Sequence, residues 1–407
     1  MRMLLVSQYF HPEPGAPANR VLSIVRGLAN AGHDVTVVCE FPNYPSGNLL
    51  PEDRLRLFRK EGLENFQVVR TFVIATTRSG VFLRLVNYWS FMFSSFVVGL
   101  FLRRPDLIFV SSPPLFAGTS AAFLSFLKRV PLVADIRDLW PEDAVLMGQL
   151  NSRFAIWGGR LTARHIYNRS SLLITISNGL KSRLQAFVGD KPVHVIFNGS
   201  SVPDFYPQFH ANRIERRDSP FTICYAGVLG LGQPIEDIIN VAESTLGDDN
   251  IKYMVVGDGV RKKFLAGLAI GKKLSNLVFT GGVSFEESLQ LLTRAHVAVV
   301  SLIENEIFKS AIPSKFFDCM ALGLPVILGV DGEARAIMEK YETGLYYRPG
   351  DWRDLKEKMM YMKNNRERAK AFGDNGRMLV CEKFRRSLLT SQLEELLRSN
   401  FEKNKKS

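Results

Sequence analysis

Short apolar runs recur along this chain, and each gives way to a turn and then to a stretch with helical spacing. In the first half they are Arg2–Tyr9, Val35–Cys39, Pro105–Ser111, Val130–Ala134, Leu172–Ile176 and Val193–Phe197. In the second they are Phe221–Tyr225, Ile251–Val256, Leu277–Thr280, His296–Ser301 and Pro325–Gly329. A strand apolar at nearly every position has no face to offer water, so it belongs in a parallel sheet covered by helices on both sides. The alternation therefore predicts an α/β chain, and 407 residues are too many for one core. Gly199–Pro220, with Pro203, Pro207 and Pro220, interrupts the alternation and reads as a linker between two doubly wound domains.

The most informative unit runs from Glu304 to Ala334, as loop, helix, tight turn, buried strand and second turn. Pro313 suits a first helical turn, where a missing N–H loses nothing. Gly323 can take the left-handed conformation that ends the helix, and Pro325 prevents its extension. The first N–H groups of a helix lack internal partners and its dipole places positive charge there. The helix front, at Ser314, is therefore a seat for a diphosphate. Lys315 adds a full charge, and Asp318, three residues on, is expected on the same face. Phosphates at one end and hydroxyls at the other describe a nucleotide-sugar. On spacing alone, the same residues also fit an ordinary helix–turn–strand corner.

Other strand ends carry candidates, because α/β sheets bind ligands beyond the carboxyl ends of their strands. Phe10–Asn19 holds Gly15, with His11 and Glu13 nearby. A single glycine is not G-x-G-x-x-G, which ranks a dinucleotide-dependent oxidoreductase last among the enzyme readings. Asp135, Arg137, Asp138 and Glu142 crowd the end of the Val130–Ala134 run, where charge is expensive unless it is used. Ala226–Gln233 contains Gly227 and Gly230, small enough for backbone amides to approach phosphate. Gly257-Asp258-Gly259 precedes Arg261, and Gly281-Gly282-Val283 closes the next run. No D-x-D stands at a strand end, so a metal clamp on a diphosphate is not indicated; no cofactor is expected.

The stretch Pro313-Ser314-Lys315-Phe316-Phe317-Asp318-Cys319-Met320-Ala321-Leu322-Gly323-Leu324-Pro325-Val326-Ile327 resembles a family signature, P-S-K-x-x-E-x-M-A-x-G-x-P-V-I. It belongs to the retaining GT-B glycosyltransferases of family 4. Asp135-Ile136-Arg137-Asp138-Leu139-Trp140-Pro141 is similar to the D-x-R-D-L-W-P element of members that build bacterial surface polysaccharides. Ser177-Asn178-Gly179 and Asn198-Gly199 resemble two of the family's turns.

The resemblance implies two facing Rossmann-like domains with a cleft between them. Residues 1–202 form the acceptor side, completed by a terminal helix within 386–407, and residues 203–385 bind the nucleotide-sugar. It implies Lys315 and the helix front on the diphosphate, Asp318 on the ribose and backbone near Val283 on the base. Asp138, with Asp135 second, approaches the reacting carbon of the sugar. Three departures stand out. The family's second Glu is Asp318 here. Its first Glu falls on Ser310, for which Glu304 or Glu306 could substitute. The loop Ala226–Gln233 lacks the family's basic residue, so its amides, or Lys315 and Arg261, must compensate.

Net charge is +12, of which residues 1–200 carry +9. Nucleic acid, an anionic membrane surface and phosphate-bearing substrates compete as partners, and no nucleic-acid module is present. Cys39, Cys224, Cys319 and Cys381 are widely spaced, as expected of reduced thiols in a cytoplasmic protein. The amino-terminal apolar run is too short for a signal peptide. Leu85–Leu102 has no charge. It reads as a core helix, as a helix lying in a bilayer interface on Trp89, Phe91 and Phe93 with Arg84, Arg103 and Arg104 at headgroups, or lastly as a span. Lys403–Lys406 is a basic tail that could aid membrane contact.

The expected function is transfer of a sugar from a nucleoside diphosphate, UDP first, to a polyprenyl-diphosphate-linked saccharide on the inner face of the plasma membrane. The competing readings are a GT-B epimerase or phosphorylase and a catalytically silent membrane-associated binding protein.

Overall fold

In the first strand, β1 (Arg2–Val6), Leu4 and Val6 enter one hydrophobic core while Met3 and Leu5 enter another. That is the period-two alternation of a strand buried on both faces. The strands that follow in the first half are β2 (Asp34–Glu40), β3 (Phe58–Leu63), β4 (Phe66–Thr71), β5 (Leu107–Ser112), β6 (Leu132–Ile136), β7 (Leu172–Thr175) and β8 (Val193–Val195). They form one sheet in the order β3-β4-β2-β1-β5-β6-β7-β8, parallel except for β3. The helices between them are α1 (Ala16–Asn30), α2 (Val81–Phe101), α3 (Leu115–Lys128), α4 (Glu142–Leu146), α5 (Arg153–Arg169) and α6 (Asn178–Val188). This computed structural model describes residues 1–13, 15–43, 47–76, 80–206, 208–209 and 220–402.

The second half repeats the scheme. Its strands are β9 (Phe221–Ala226), β10 (Ile251–Val256), β11 (Leu277–Gly281), β12 (Val297–Ser301), β13 (Val326–Gly329) and β14 (Gly344–Tyr346). All are parallel, in the order β11-β10-β9-β12-β13-β14. Its helices are α7 (Val202–Phe205), α8 (Ile235–Ser244), α9 (Lys262–Gly271), α10 (Phe285–Leu292), α11 (Ser314–Ala321), α12 (Glu333–Lys340), α13 (Trp352–Asn364), α14 (Arg366–Leu379) and α15 (Arg386–Phe401). The chain divides into a first unit, Met1–Phe197 with Leu389–Ser407, and a second unit, Asn198–Leu388.

In the first unit, residues of α2, α3, α5 and α6 fill the core on one face of the sheet. α1 and the residues of α15 from Leu389 onward fill the core on the other. The latter two helices pack closely: a Cβ on Gly27 would stand 2.2 Å from Thr390 Cγ2.

Three elements differ from the sequence reading. Phe41–Arg59 reads in the sequence as one long loop, yet β3, with Arg59, Lys60 and Glu61 at the sheet edge and no apolar run to announce it, pairs with β4 from Phe58 onward. Leu355–Phe372 reads in the sequence as one helix, whereas the structure has two, α13 and α14, broken at Asn365, whose backbone leaves the helical region (φ −118°, ψ 62°). Asn178 and Gly179 belong to the first turn of α6, where Ser177 Oγ caps the Leu180 N–H at 3.1 Å. The basic tail Lys403–Lys406 and much of the expected linker (Pro207 and residues 210–219) lie outside the described residues.

Candidate active site

In each sheet the strand order reverses once, and ligands of such folds bind at the carboxyl ends of the strands beside that point. In the second unit the reversal lies between β9 and β12, because the chain runs β9 to β10 to β11 on one side and then β12 to β13 to β14 on the other. The loops that follow β9 and β12 carry the glycine turn and α11.

Lys315 lies in the first turn of α11 and reaches back to this reversal. Its Nζ donates to Tyr225 Oη at 2.8 Å and sits 4.0 Å from the centroid of the same ring. Tyr225 Oη in turn donates to the Val228 carbonyl at 2.8 Å, which fixes the phenol. The ammonium is half-buried, and desolvation pushes it down to about 7. A Cβ on Gly227, whose φ is +148°, would stand 3.4 Å from that Nζ. Glycine therefore leaves the strand end open beside the cation. Pro313 stands just before α11, at its N-cap with ψ 130°; no side chain caps the helix and no acid stands in its first turn, where Ser314 is half-buried.

The glycine loop is built against its neighbour. Gly257 has φ +139°, and a Cβ there would fall 1.9 Å from the Gly227 carbonyl oxygen. Gly227 N–H donates to Val256 at 2.9 Å, Leu229 N–H to Asp258 at 2.9 Å and Gly230 N–H to Gln233 Oε1 at 3.0 Å. These three amides are therefore engaged within the protein. Arg261 joins the same loop through its backbone N–H, which donates to Leu229 O at 3.0 Å, and its guanidinium pairs with Glu236. The Lys315 ammonium stands beside the first glycine of that loop. Val283, half-buried, follows the end of β11, where Gly257 N–H donates to the Gly281 carbonyl at 3.0 Å.

Asp318 is placed differently from the expectation. Its buried carboxylate accepts from Ser200 Oγ at 2.6 Å, and Arg386 lies close enough to act on it electrostatically. Burial pushes its carboxyl up, with Arg386 and Ser200 opposing. Lys315 and Asp318 therefore serve different neighbours. Ser200 N–H donates to Phe384 O at 2.8 Å and Arg386 N–H to Ser200 O at 3.0 Å, so Asp318 pins the two segments by which the chain enters and leaves this unit. Glu304 and Glu306 are exposed and face Arg348 at 3.5 Å and Lys309 at 2.6 Å. Ser310 Oγ donates to Ile307 O at 2.8 Å.

In the first unit the reversal lies between β1 and β5. Asp135, at the end of β6, is fully buried in a two-point pair with Arg20 of α1, at 2.8 and 2.9 Å. Arg20 also donates to Ile196 O and Phe197 O, each at 3.0 Å. Asp135 thus holds structure together, which corrects its candidacy as a reacting group. Asp138 is exposed just beyond the same strand, while Arg137 donates to Pro113 O at 2.7 Å. Gly15 (φ +121°) and His11 are exposed in the loop after β1.

A buried polar cluster that the sequence reading missed closes this end of the sheet. Gln8 Nε2 donates to Glu40 Oε2 at 2.7 Å and to Asn87 Oδ1 at 2.8 Å, and Asn43 Nδ2 donates to Glu40 Oε1 at 2.9 Å. Glu13 accepts from the Asn43 N–H at 2.9 Å. Asn87, a lone amide in an apolar helix, was the available signal. Tyr225 was missed as well, since nothing in a buried strand marks which tyrosine will meet a lysine. Among the described residues no group of three or more His, Cys, Asp or Glu is placed to hold a metal ion.

Comparison with known proteins identifies the family. Residues 15–199 match the family described as "Glycosyl transferase 4-like domain" and residues 208–378 that described as "Glycosyl transferases group 1". The chain is 26% identical over 339 residues to the Escherichia coli protein named "Putative colanic acid biosynthesis glycosyl transferase WcaI", covering 79% of this chain and 82% of that one. It is 25% identical over 350 residues to a "GDP-mannose-dependent alpha-mannosyltransferase" of Mycolicibacterium smegmatis, covering 85% and 84%. The structure of HepE from Anabaena in complex with UDP-glucose superposes with a TM-score of 0.69 at 17% identity, covering 98% of this chain and 100% of that one. The chain belongs to the family-4 glycosyltransferases and has their GT-B fold of two Rossmann-like α/β domains.

Proposed function

We propose that this glycosyltransferase is a retaining enzyme that moves an N-acetylated hexose or deoxyhexose from a nucleoside diphosphate, UDP first, to a lipid-linked saccharide of surface-polysaccharide synthesis. The observation that carries the donor assignment is the Lys315 ammonium, held on Tyr225 beside Gly227 at the reversal point of the second sheet. A departing nucleoside diphosphate gains negative charge, and a preorganised cation next to an uncapped helix front stabilises it most as the bond breaks. Ser314 supplies the first turn of that helix, and the turns at Gly227, Gly230, Gly257 and Val283 shape the seat. In this reading Lys315, and not a divalent metal, meets the leaving group.

Asp138, exposed at the end of β6, is our candidate for the group near the reacting carbon. We assign Asp318 to positioning rather than to the ribose, since its carboxylate is engaged by Ser200. The surface-polysaccharide role draws support from the likeness to WcaI. The nucleotide draws it from the UDP-glucose complex of HepE, while the mycobacterial relative is named for GDP-mannose. The acceptor's lipid carrier, a polyprenyl diphosphate, would place the enzyme peripherally on the inner face of the plasma membrane.

The test is release of nucleoside diphosphate from a panel of UDP- and GDP-sugars, with and without lipid-linked saccharide, in the presence and absence of chelator. Acceptor-dependent release that survives chelation and is lost in Lys315→Ala supports the reading. Donor binding without release from any acceptor would make the chain a binding protein. Release without acceptor would favour an epimerase or a phosphorylase.

A further inference from the structure

Helix α2 is built inside out. The side turned toward the protein carries Asn87, Ser94 and Ser95, all buried, along with Phe91. Ser95 Oγ donates to Ser120 Oγ of α3 at 2.9 Å, Ser94 Oγ to Phe72 O at 2.6 Å, and Asn87 to Ile74 O at 3.1 Å. The outward side carries Phe82, Trp89 and Phe93, at 75%, 56% and 68% exposure. An ordinary surface helix shows the reverse arrangement.

The exposed apolar face does not stop at α2. Gly99 lets α3 approach closely, since a Cβ there would stand 2.5 Å from Leu124 Cδ1. Aromatic contacts then run from α2 to α3 to α5: Trp89 meets Phe116 at 5.5 Å between centroids, Phe96 meets Phe123 at 6.4 Å, and Phe123 meets His165 at 5.4 Å. α3 presents Phe126 and α5 presents Phe154 and Trp157 to solvent. A continuous patch of this kind marks a docking surface.

Charge identifies the occupant. None of the three helices contains an Asp or Glu, and no acid occurs between Asp106 and Asp135 or between Asp143 and Asp190. Arg103, Arg104, Arg129, Arg153 and Arg164 are exposed in or next to these helices. Glu142, which precedes α5, is taken up by Arg160 at 2.8 Å. No described helix is long and apolar enough to cross a membrane. Exposed aromatics among one-signed cations, without a span, are what an anionic lipid surface recognises.

We propose that the outer face of α2, α3 and α5 docks flat on a bilayer of anionic lipid, with the aromatic side chains in the headgroup–acyl boundary and the arginines on headgroups. The proposal deepens the lipid-linked acceptor reading, but it is tested without turnover. The full chain is floated with phosphatidylglycerol/phosphatidylcholine vesicles and with phosphatidylcholine alone, at low and high salt. Flotation is expected with the anionic vesicles and should weaken with salt. Tryptophan emission should shift to the blue on binding, as Trp89 and Trp157 leave water. Arg153→Gln and Arg164→Gln should each weaken partitioning roughly fivefold. Phe93→Ser with Phe126→Ser and Trp157→Ser should abolish it without lowering the thermal midpoint, because all three sites are exposed.

Equal flotation with neutral vesicles, or unchanged flotation of the triple variant, would overturn the proposal. So would a concentration-dependent oligomer that the triple variant converts to monomer, because the face would then be an interface between copies. If flotation succeeds while no lipid-linked acceptor is glycosylated, the surface stands and the acceptor reading falls.

Discussion

Lys315→Met removes the ammonium and keeps a flexible side chain of similar reach, so it separates binding from folding. A hydrogen bond to a charged group contributes about 1.5–3 kcal/mol. Loss of one such bond to the donor's diphosphate should therefore weaken nucleoside diphosphate binding roughly 10- to 160-fold. Folding should move the other way. The Lys315 ammonium is held down at about 7, below its ordinary 10.5. Between those values the unfolded chain binds the extra proton, so the native lysine lowers stability at neutral pH and the deficit disappears as pH rises toward 10.5. The Met variant should consequently unfold at pH 7 no more easily than the parent.

Binding should also carry a proton signature. At pH 8 most of the free protein has a neutral Lys315, and a bound diphosphate draws a proton onto it. Calorimetry in buffers of different ionisation enthalpy should then show uptake of about one proton per UDP or GDP, with affinity falling as pH climbs above 7. Uptake close to zero, or parent-like affinity in the Met variant, would refute the placement of Lys315 on phosphate. A large loss of stability would instead make it a structural residue.

Four further outcomes follow from the geometry. Asp138→Asn should lower turnover by about 100-fold or more, in the range of a lost catalytic carboxylate, with donor affinity and thermal midpoint unchanged because the side chain is exposed. Asp135→Ala leaves Arg20 buried without its carboxylate and should cost about 3–5 kcal/mol in denaturant unfolding. Gly257→Ala forces a side chain to φ +139° and onto the Gly227 carbonyl, so donor binding should be lost together with about 1–3 kcal/mol or more of stability, while Gly247→Ala, with nothing within 4 Å, should be neutral. Asp318→Ala leaves Ser200 Oγ without its acceptor and should lower stability by about 1–3 kcal/mol, with donor affinity kept; a selective loss of donor affinity would return Asp318 to the ribose.

How far the sequence could be read depended on whether a feature was local. Pro313 and Gly323 bracket α11 because helix ends are decided by residues within one turn. β9, β10, β12 and β13 show as apolar runs because they are covered on both faces. β3 and β14 did not show, one being polar and at an edge and the other three residues long. The aromatic run in α2 was misread for a geometric reason. Trp89, Phe91 and Phe93 alternate with period two, and no helix can turn all three outward. Residues 89 and 93 share a face, whereas Phe91 is fully buried on the opposite one.

The sequence by itself determined the βα alternation, the helix that carries Lys315 and the concentration of positive charge in the first half. Each of these rests on periodicity, turn chemistry or composition, which are properties of neighbouring residues. Tertiary structure decided who meets whom. Arg20 finds Asp135 across 115 residues, Lys315 finds Tyr225 across 90, and Ser200 takes Asp318 across 118. Those pairings depend on strand order, which sets β1 beside β5 and β9 beside β12. A local pattern reports that a side chain is buried, while the identity of its partner is settled only when distant strands and helices pack.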